Sequence, residues 1–343
     1  MKAAVLYEIG KPLEIIQNLQ VPALKKGQVH VAVEYSGVCH SQLMEITGGR
    51  GEDKYLPHML GHEGFGKVLA VGDGVTKVSP GDEVIIGWIK GEGLDAPGGL
   101  YEHNGHIINS GSATTLADET IVAENRVVKL PTGFPPNLAA LLGCALPTGL
   151  GLVFNEINPT EGSSIAVFGL GGIGLSALVA AKLSSPKHLI AIDVEESKLA
   201  IARELGATHT INSNESDPLE IIKSITGTGV DYSLEAAGSV HVIEQAFESV
   251  KENGGLCVFA SHPRSEERIK LDPFSFHKGK QIKGSWGGSS FPDRDIPKFA
   301  NLYTEGKIDL SSFISKEYFL DEINIALDDL QARKLVRALI KVR

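Results

Sequence analysis

Two groups of residues carry recognisable chemistry. Cys39 in Gly37-Val38-Cys39-His40-Ser41, His62 in Gly61-His62-Glu63-Gly64-Phe65-Gly66, and Cys144 in Gly143-Cys144-Ala145-Leu146-Pro147-Thr148-Gly149 supply two thiols and an imidazole. Zinc prefers such soft donors, and three of them leave a fourth coordination position open for catalysis. Their spacing is not that of a local zinc finger, so spacing alone leaves two readings open. One is a metal site; the other is two small buried cysteines and a core histidine. The second group, Gly169-Leu170-Gly171-Gly172-Ile173-Gly174, fits G-x-G-x-x-G. In a chain with 39 glycines the pattern is weak by itself. It gains force because it directly follows the apolar run Ser164–Phe168 and opens a helical stretch, so bare amides at a helix N-terminus face a pyrophosphate. Asp193 ends the next expected strand. That is the place, beyond the glycine turn, where a carboxylate accepts from both ribose hydroxyls. With Glu195 and Glu196 following and no arginine beside them, a 2′-phosphate would meet three acidic groups, so NAD is expected over NADP. Lys198 is the nearest cation, and reads equally as a contact to the adenosine ribose or as an ordinary helix-surface lysine.

The elements that position these residues follow from periodicity. Met1–Leu130 reads as short strands divided by glycine and proline, with Val29, Val31 and Val33 alternating with His30, Ala32 and Glu34. Phe65–Val71, Glu83–Trp88 and Thr120–Leu130 are further strands, and Lys90–Ser112 reads as an irregular excursion. After Pro147 the rhythm becomes strand–helix alternation: Ser164–Phe168, His188–Asp193, Thr208–Asn212, Asp231–Glu235, Leu256–Ser261 and Gln281–Trp286, with helical stretches between several of them. Six such strands imply a parallel, doubly wound α/β sheet, because parallel neighbours need crossover connections. From Asp293 the alternation stops; two helices and a strand, Arg337–Val342, are expected to return to the first domain.

Composition narrows the function classes. The chain has 343 residues, 32 basic against 42 acidic side chains, and a formal charge of −10, which argues against nucleic acid or an anionic membrane face as partner. Only three cysteines are present, Cys39, Cys144 and Cys257. Such a set does not make a disulfide framework, and it fits a reducing compartment. The longest apolar stretch, Leu138–Phe154, is broken by Gly143, Pro147, Gly149 and Gly151 and falls short of a comfortable membrane span. The expectation is a soluble, cytoplasmic protein.

Over nearly its whole length the sequence resembles the zinc-containing medium-chain alcohol dehydrogenases. The Gly-x-Cys-His-Ser, Gly-His-Glu-x-x-Gly and Gly-Cys-x-x-x-Thr-Gly blocks occur in the family's order, and the nucleotide fingerprint falls where the family has it. The resemblance implies a GroES-like, mostly-β catalytic domain (1–146 and 286–343) and a Rossmann NAD-binding domain (147–285). It implies Cys39, His62 and Cys144 as ligands of one catalytic zinc, with Glu63 a nearby carboxylate able to approach the metal. It further implies that His40 and Arg337 contact the cofactor pyrophosphate, Thr148 the nicotinamide and Ser41 the alcohol, where Ser41 starts the proton relay. Trp88 would line the substrate pocket. The reaction implied is reversible hydride transfer between an alcohol and NAD, in a homodimer or homotetramer joined through an edge strand, Gln281–Trp286 being the candidate.

Three departures qualify that picture. Lys90–Ser112 contains no cysteine, so the four-cysteine structural zinc of many members is not expected; His103 and His106 read as surface residues. Gln42 stands where an aspartate usually orients the ligand histidine, and its carbonyl is expected to accept from the imidazole N–H. Met44 stands where many members end the proton relay on a histidine, so the relay must stop at the ribose and solvent or use His40. A metal-free quinone or enone reductase of the same superfamily and a non-catalytic NAD-binding protein are the alternatives. A short primary alcohol, a polyol or a specialised biosynthetic intermediate all fit as substrate.

Overall fold

The computed structural model describes Met1–Arg343, and the chain divides into two units. The first comprises Met1–Cys144, Phe291–Thr304 and Ile314–Arg343; the second comprises Ala145–Ser290 and Glu305–Phe313.

The first unit is built on two sheets. The larger orders Val127–Lys129, Glu83–Gly87, Glu63–Val71, Gln28–Val38, Ala338–Lys341 and Lys316–Phe319, with Glu119–Ala123 also paired to Gln28–Val38. Val29, Val31 and Val33 enter a common core with Val68, Val84, Ile86, Val122 and Val127, each such burial being worth about 1.5–3 kcal/mol. The C-terminal strand pairs antiparallel with the end of Gln28–Val38, Ala338 opposite Val38. This register sets Arg337 beside the turn that carries Cys39. The smaller sheet orders Glu14–Ile16, Ala3–Leu6, His58–Met59, His106–Asn109 and Leu100–His103.

Two expectations for this unit need correction. The Lys90–Ser112 excursion is not wholly irregular: Leu100–His103 and His106–Asn109 form an antiparallel hairpin. Its turn is Asn104-Gly105, both residues at positive φ, the pair favoured in two-residue hairpins because it matches strand twist. Tyr101 and Ile108 pair across it and are fully buried. The expected strand Thr120–Leu130 is broken at Glu124–Arg126 by a short 3-10 turn.

The break has a cause. Glu124 is buried, and its carboxylate accepts the backbone N–H groups of Thr76 (2.6 Å), Lys77 (2.7 Å) and Leu94 (2.7 Å). Burial alone would raise its pKa, but these donors hold the carboxyl below its ordinary range. One side chain thus ties two loops to the sheet. Glu124→Gln would set an amide N–H₂ against a backbone N–H, and is expected to cost about 2–3 kcal/mol in urea melts. Because the folded pKa is depressed, the contribution is fully present above the unfolded value of about 4.3 and is lost as pH falls through the folded value. The wild type should therefore lose stability on acidification more steeply than Glu124→Gln.

The second unit holds a six-stranded sheet in the order His209–Asn212, His188–Asp193, Ser164–Phe168, Tyr232–Glu235, Leu256–Phe259, Gln281–Gly284. Every neighbouring pair is parallel, giving a Rossmann arrangement whose order reverses between Ser164–Phe168 and Tyr232–Glu235. Phe168, Ile190, Ile192, Phe247 and Cys257 share its core. Burial pushes the Cys257 thiol up to about 12, as befits a packing residue. No single helix is long and apolar enough to cross a membrane.

Candidate active site

Cys39 leads into the helix His40–Ile46, His62 immediately precedes the strand Glu63–Val71, and Cys144 follows the short helical turn Ala140–Gly143. From these three places the fold brings one donor atom of each residue within 4.8 Å of the other two. Both cysteines are buried and neither forms a disulfide. The Cys144 thiol donates towards Cys39, and this contact outweighs the cost of burial. With Arg337 and His62 adding to it, the contact holds Cys39 well below the usual thiol range, towards thiolate. Cys144 is raised correspondingly, by the Cys39 contact and by burial. Burial disfavours the charge of His62, yet its contact with Cys39 leaves its pKa raised. Two sulfurs and an imidazole sharing few protons are a donor set that fits zinc, and they leave a fourth position free.

Glu63, the residue after His62 and the first of the strand Glu63–Val71, is fully buried. The Arg337 guanidinium, also buried, lies 3.2 Å from each carboxylate oxygen and also donates to the Val38 carbonyl at 3.1 Å. Burial opposes the charge of Arg337, but Glu63 and the two cysteines keep it charged. Gly37 is the residue that admits the carboxylate, since a Cβ there would collide with Glu63 Oε1.

Gln42 is fully buried and departs from expectation. Its carbonyl does not accept from His62. It takes the Cys39 backbone N–H at 2.6 Å, a contact back to the start of its own helix, and its amide nitrogen lies 2.8 Å from His62 Nδ1. Ser41 Oγ lies 3.5 Å from His62 Nδ1 and 3.4 Å from Nε2, beside the ring. His40 is exposed at the head of the same helix, and Trp88 is half-buried just past the strand Glu83–Gly87.

In the second unit the glycine-rich segment forms a tight turn into a helix. Gly169 has φ +86°, the helix Gly172–Lys182 starts immediately after Gly171, and a Cβ at Gly174 would collide with the Gly169 carbonyl oxygen. Ile173 is the half-buried member of the first turn. Asp193 accepts the Leu170 N–H at 2.7 Å and the Glu195 N–H at 2.9 Å, so its carboxylate is fixed beside the turn. Lys198 sits in the first part of the helix Glu196–Glu204, and Thr148 is buried in the helix Ala145–Gly151, which packs against Gly172–Lys182.

One residue escaped the sequence reading. Glu235, fully buried, accepts the backbone N–H groups of Ala237 (2.7 Å) and Gly238 (2.9 Å) and the Ser261 hydroxyl. The loop it fixes abuts Gly169, where a Cβ would lie 2.7 Å from Ala237 Cα. A single acidic residue ending a predicted strand carried no signal of that role.

Comparison with known proteins gives a consistent result. A family model described as zinc-binding dehydrogenase matches residues 172–305, and one described as alcohol dehydrogenase GroES-like domain matches residues 25–132. The chain is 34% identical over 367 aligned positions to an S-(hydroxymethyl)glutathione dehydrogenase of Escherichia coli O1:K1 / APEC, covering 99% of each. Among solved structures it is similar to the benzyl alcohol dehydrogenase of Acinetobacter calcoaceticus, at 31% identity and TM-score 0.90, covering 100% of this chain and 99% of that one. An alcohol dehydrogenase zinc-binding domain protein of Burkholderia ambifaria is 30% identical, with TM-score 0.90 and coverage of 100% and 98%.

Proposed function

Because this chain belongs to the zinc-containing medium-chain alcohol dehydrogenase family, we propose that Cys39, His62 and Cys144 hold one catalytic zinc for reversible hydride transfer between an alcohol and NAD. The observation that carries this reading is the convergence of three soft donors, from three separate places in the sequence, within 4.8 Å. When bound, zinc supplies the Lewis acid that eases loss of the alcohol proton, and NAD supplies the hydride acceptor.

The chain's own residues do the rest. Ser41 takes the hydroxyl proton of the substrate and passes it outward. With Met44 three residues on, the next carrier is solvent or the exposed His40, to which we also give the contact with the cofactor pyrophosphate. Glu63, held by Arg337, would be the carboxylate able to approach the metal; Arg337 would add positive charge for the pyrophosphate. Gly169, Gly171, Gly172, Ile173 and Gly174 bind the pyrophosphate through backbone N–H groups, Asp193 takes the ribose hydroxyls, Lys198 flanks the adenosine ribose and Thr148 meets the nicotinamide. Trp88 lines the alcohol pocket. The substrate is a small alcohol or the matching carbonyl compound. We assign the catalytic domain to 1–146 and 286–343 and the NAD-binding domain to 147–285, bounds that differ from the two compact units at 145–146, 286–290 and 305–313.

NADH formation across an alcohol panel tests the reading, with benzyl alcohol and S-(hydroxymethyl)glutathione included because relatives act on them by name. NAD is expected to exceed NADP in kcat/KM by about a hundredfold, since like charges at Asp193, Glu195 and Glu196 cost several kcal/mol against a 2′-phosphate. Asp193→Ser should narrow that ratio. No turnover with any alcohol, or equal use of the two cofactors, would contradict the proposal. We also place the protein in the cytoplasm, because a reducing compartment keeps Cys39 and Cys144 as thiols. A homodimer or homotetramer would form through the outermost strand Gln281–Gly284, beside which Trp286 is 68% exposed; sedimentation as a monomer would exclude it.

A further inference from the structure

A neutral imidazole carries one proton, so one ring nitrogen donates and the other accepts. The Gln42 amide is not free to choose which end it shows to the ring. Its Oε1 must accept the Cys39 backbone N–H at 2.6 Å, because a backbone N–H can only donate. This leaves the Nε2 amide group, a donor, 2.8 Å from His62 Nδ1. Nδ1 is then the acceptor and the ring proton sits on Nε2.

A zinc ligand needs the opposite arrangement. With Nδ1 beside Gln42, the nitrogen left to ligate is Nε2, and it must present its lone pair. The ring proton then moves to Nδ1 or leaves to solvent. If it moves to Nδ1, two donors face each other across 2.8 Å, and Gln42 is too deeply buried for water to relieve them. Turning the amide over removes that clash only by setting its N–H₂ against the Cys39 N–H. The side chain at position 42 cannot satisfy the backbone and the metal-ligating tautomer together. A glutamate of the same length could, because both of its oxygens accept.

We infer that Gln42 is a positioning residue that favours the metal-free tautomer of His62, through its amide nitrogen on Nδ1 and its carbonyl on the Cys39 N–H, and so keeps the zinc weakly held and readily exchanged. This rests on the zinc reading above. Its consequence is a reversed order of affinity: the natural residue binds metal less tightly than its carboxylate isostere.

The test is zinc affinity by competition with a chromophoric chelator, and the rate of zinc loss to excess EDTA, on full-length wild type, Gln42→Glu and Gln42→Leu. Gln42→Glu is expected to bind zinc about tenfold to a hundredfold more tightly and to release it more slowly, the range associated with partners of ligand histidines. Gln42→Leu removes the donor facing Nδ1, and its affinity should also exceed the wild type's even though it loses the contact to Cys39 N–H. A purely structural role for Gln42 predicts weaker binding in both variants, and that result overturns the inference. Proton NMR of the zinc-loaded proteins gives an independent reading: a protected, downfield Nδ1–H resonance of His62 in Gln42→Glu that is missing or rapidly exchanging in the wild type. An equally protected resonance in the wild type would also overturn it. His62→Ala distinguishes loss of the zinc site from loss of the role given to Gln42. If that variant binds zinc as well as the wild type, the metal-site assignment has failed; if it does not, the outcome for Gln42 stands on its own.

Discussion

Replacing Cys39 with serine is expected to abolish retention of zinc and to lower alcohol turnover by about a thousandfold or more. A Lewis acid at the substrate oxygen is worth several kcal/mol of transition-state stabilisation, which corresponds to several factors of ten in rate. The change is nearly isosteric, so packing is little disturbed; Cys39 is buried but small. What is lost is the sulfur. Cys39 is the group of the cluster held towards thiolate, by Cys144, Arg337 and His62, whereas a serine hydroxyl stays protonated and offers a hard oxygen. Metal analysis of the purified variant, beside circular dichroism to confirm folding, checks the prediction. A zinc-free Cys39→Ser protein with wild-type turnover would refute the mechanism.

The second large effect is expected at Arg337. Arg337→Met removes the charge partner of the fully buried Glu63. Breaking a buried pair from one side typically costs about 3–5 kcal/mol, because the remaining charge has no compensation, and urea denaturation should show a loss of about that size. Combining Arg337→Met with Glu63→Gln removes both charges and should recover part of the loss. The double-mutant cycle therefore gives a coupling energy of at least about 1 kcal/mol. Strictly additive losses would show that the two side chains stabilise the fold independently.

How much of this was legible in the sequence depends on how local each signal was. The Rossmann half was readable because its strands and helices alternate with clear periods, and because the glycine turn, the following helix and Asp193 lie within one short βαβ stretch. The hairpin at Asn104-Gly105 was also readable in principle, but its strands are only four residues each, and the surrounding polar residues hid the alternation. Glu124 and Glu235 were invisible. Each acts by collecting backbone N–H groups, and nothing in an isolated glutamate says which loops will present them.

The metal cluster was legible only through the resemblance of the whole chain. Cys39, His62 and Cys144 are scattered over more than a hundred positions, and their convergence depends on how the strands Gln28–Val38 and Glu63–Val71 pair. The Glu63–Arg337 contact, 274 positions apart, depends on the C-terminal strand returning to Gln28–Val38. The role of Gln42 was half-read. Its carbonyl was expected to accept from the imidazole N–H, but it accepts the Cys39 N–H instead, a contact that belongs to the start of its own helix.

The central claim is that Cys39, His62 and Cys144 form a catalytic zinc site. The measurement that tests it most directly is zinc content per chain, by inductively coupled plasma mass spectrometry, taken together with NAD-dependent alcohol oxidation as zinc is stripped by chelation and restored. About one zinc per chain is expected when zinc is supplied, with activity that falls and returns in proportion to it. A chain that retains full alcohol dehydrogenase activity with no zinc bound would contradict it.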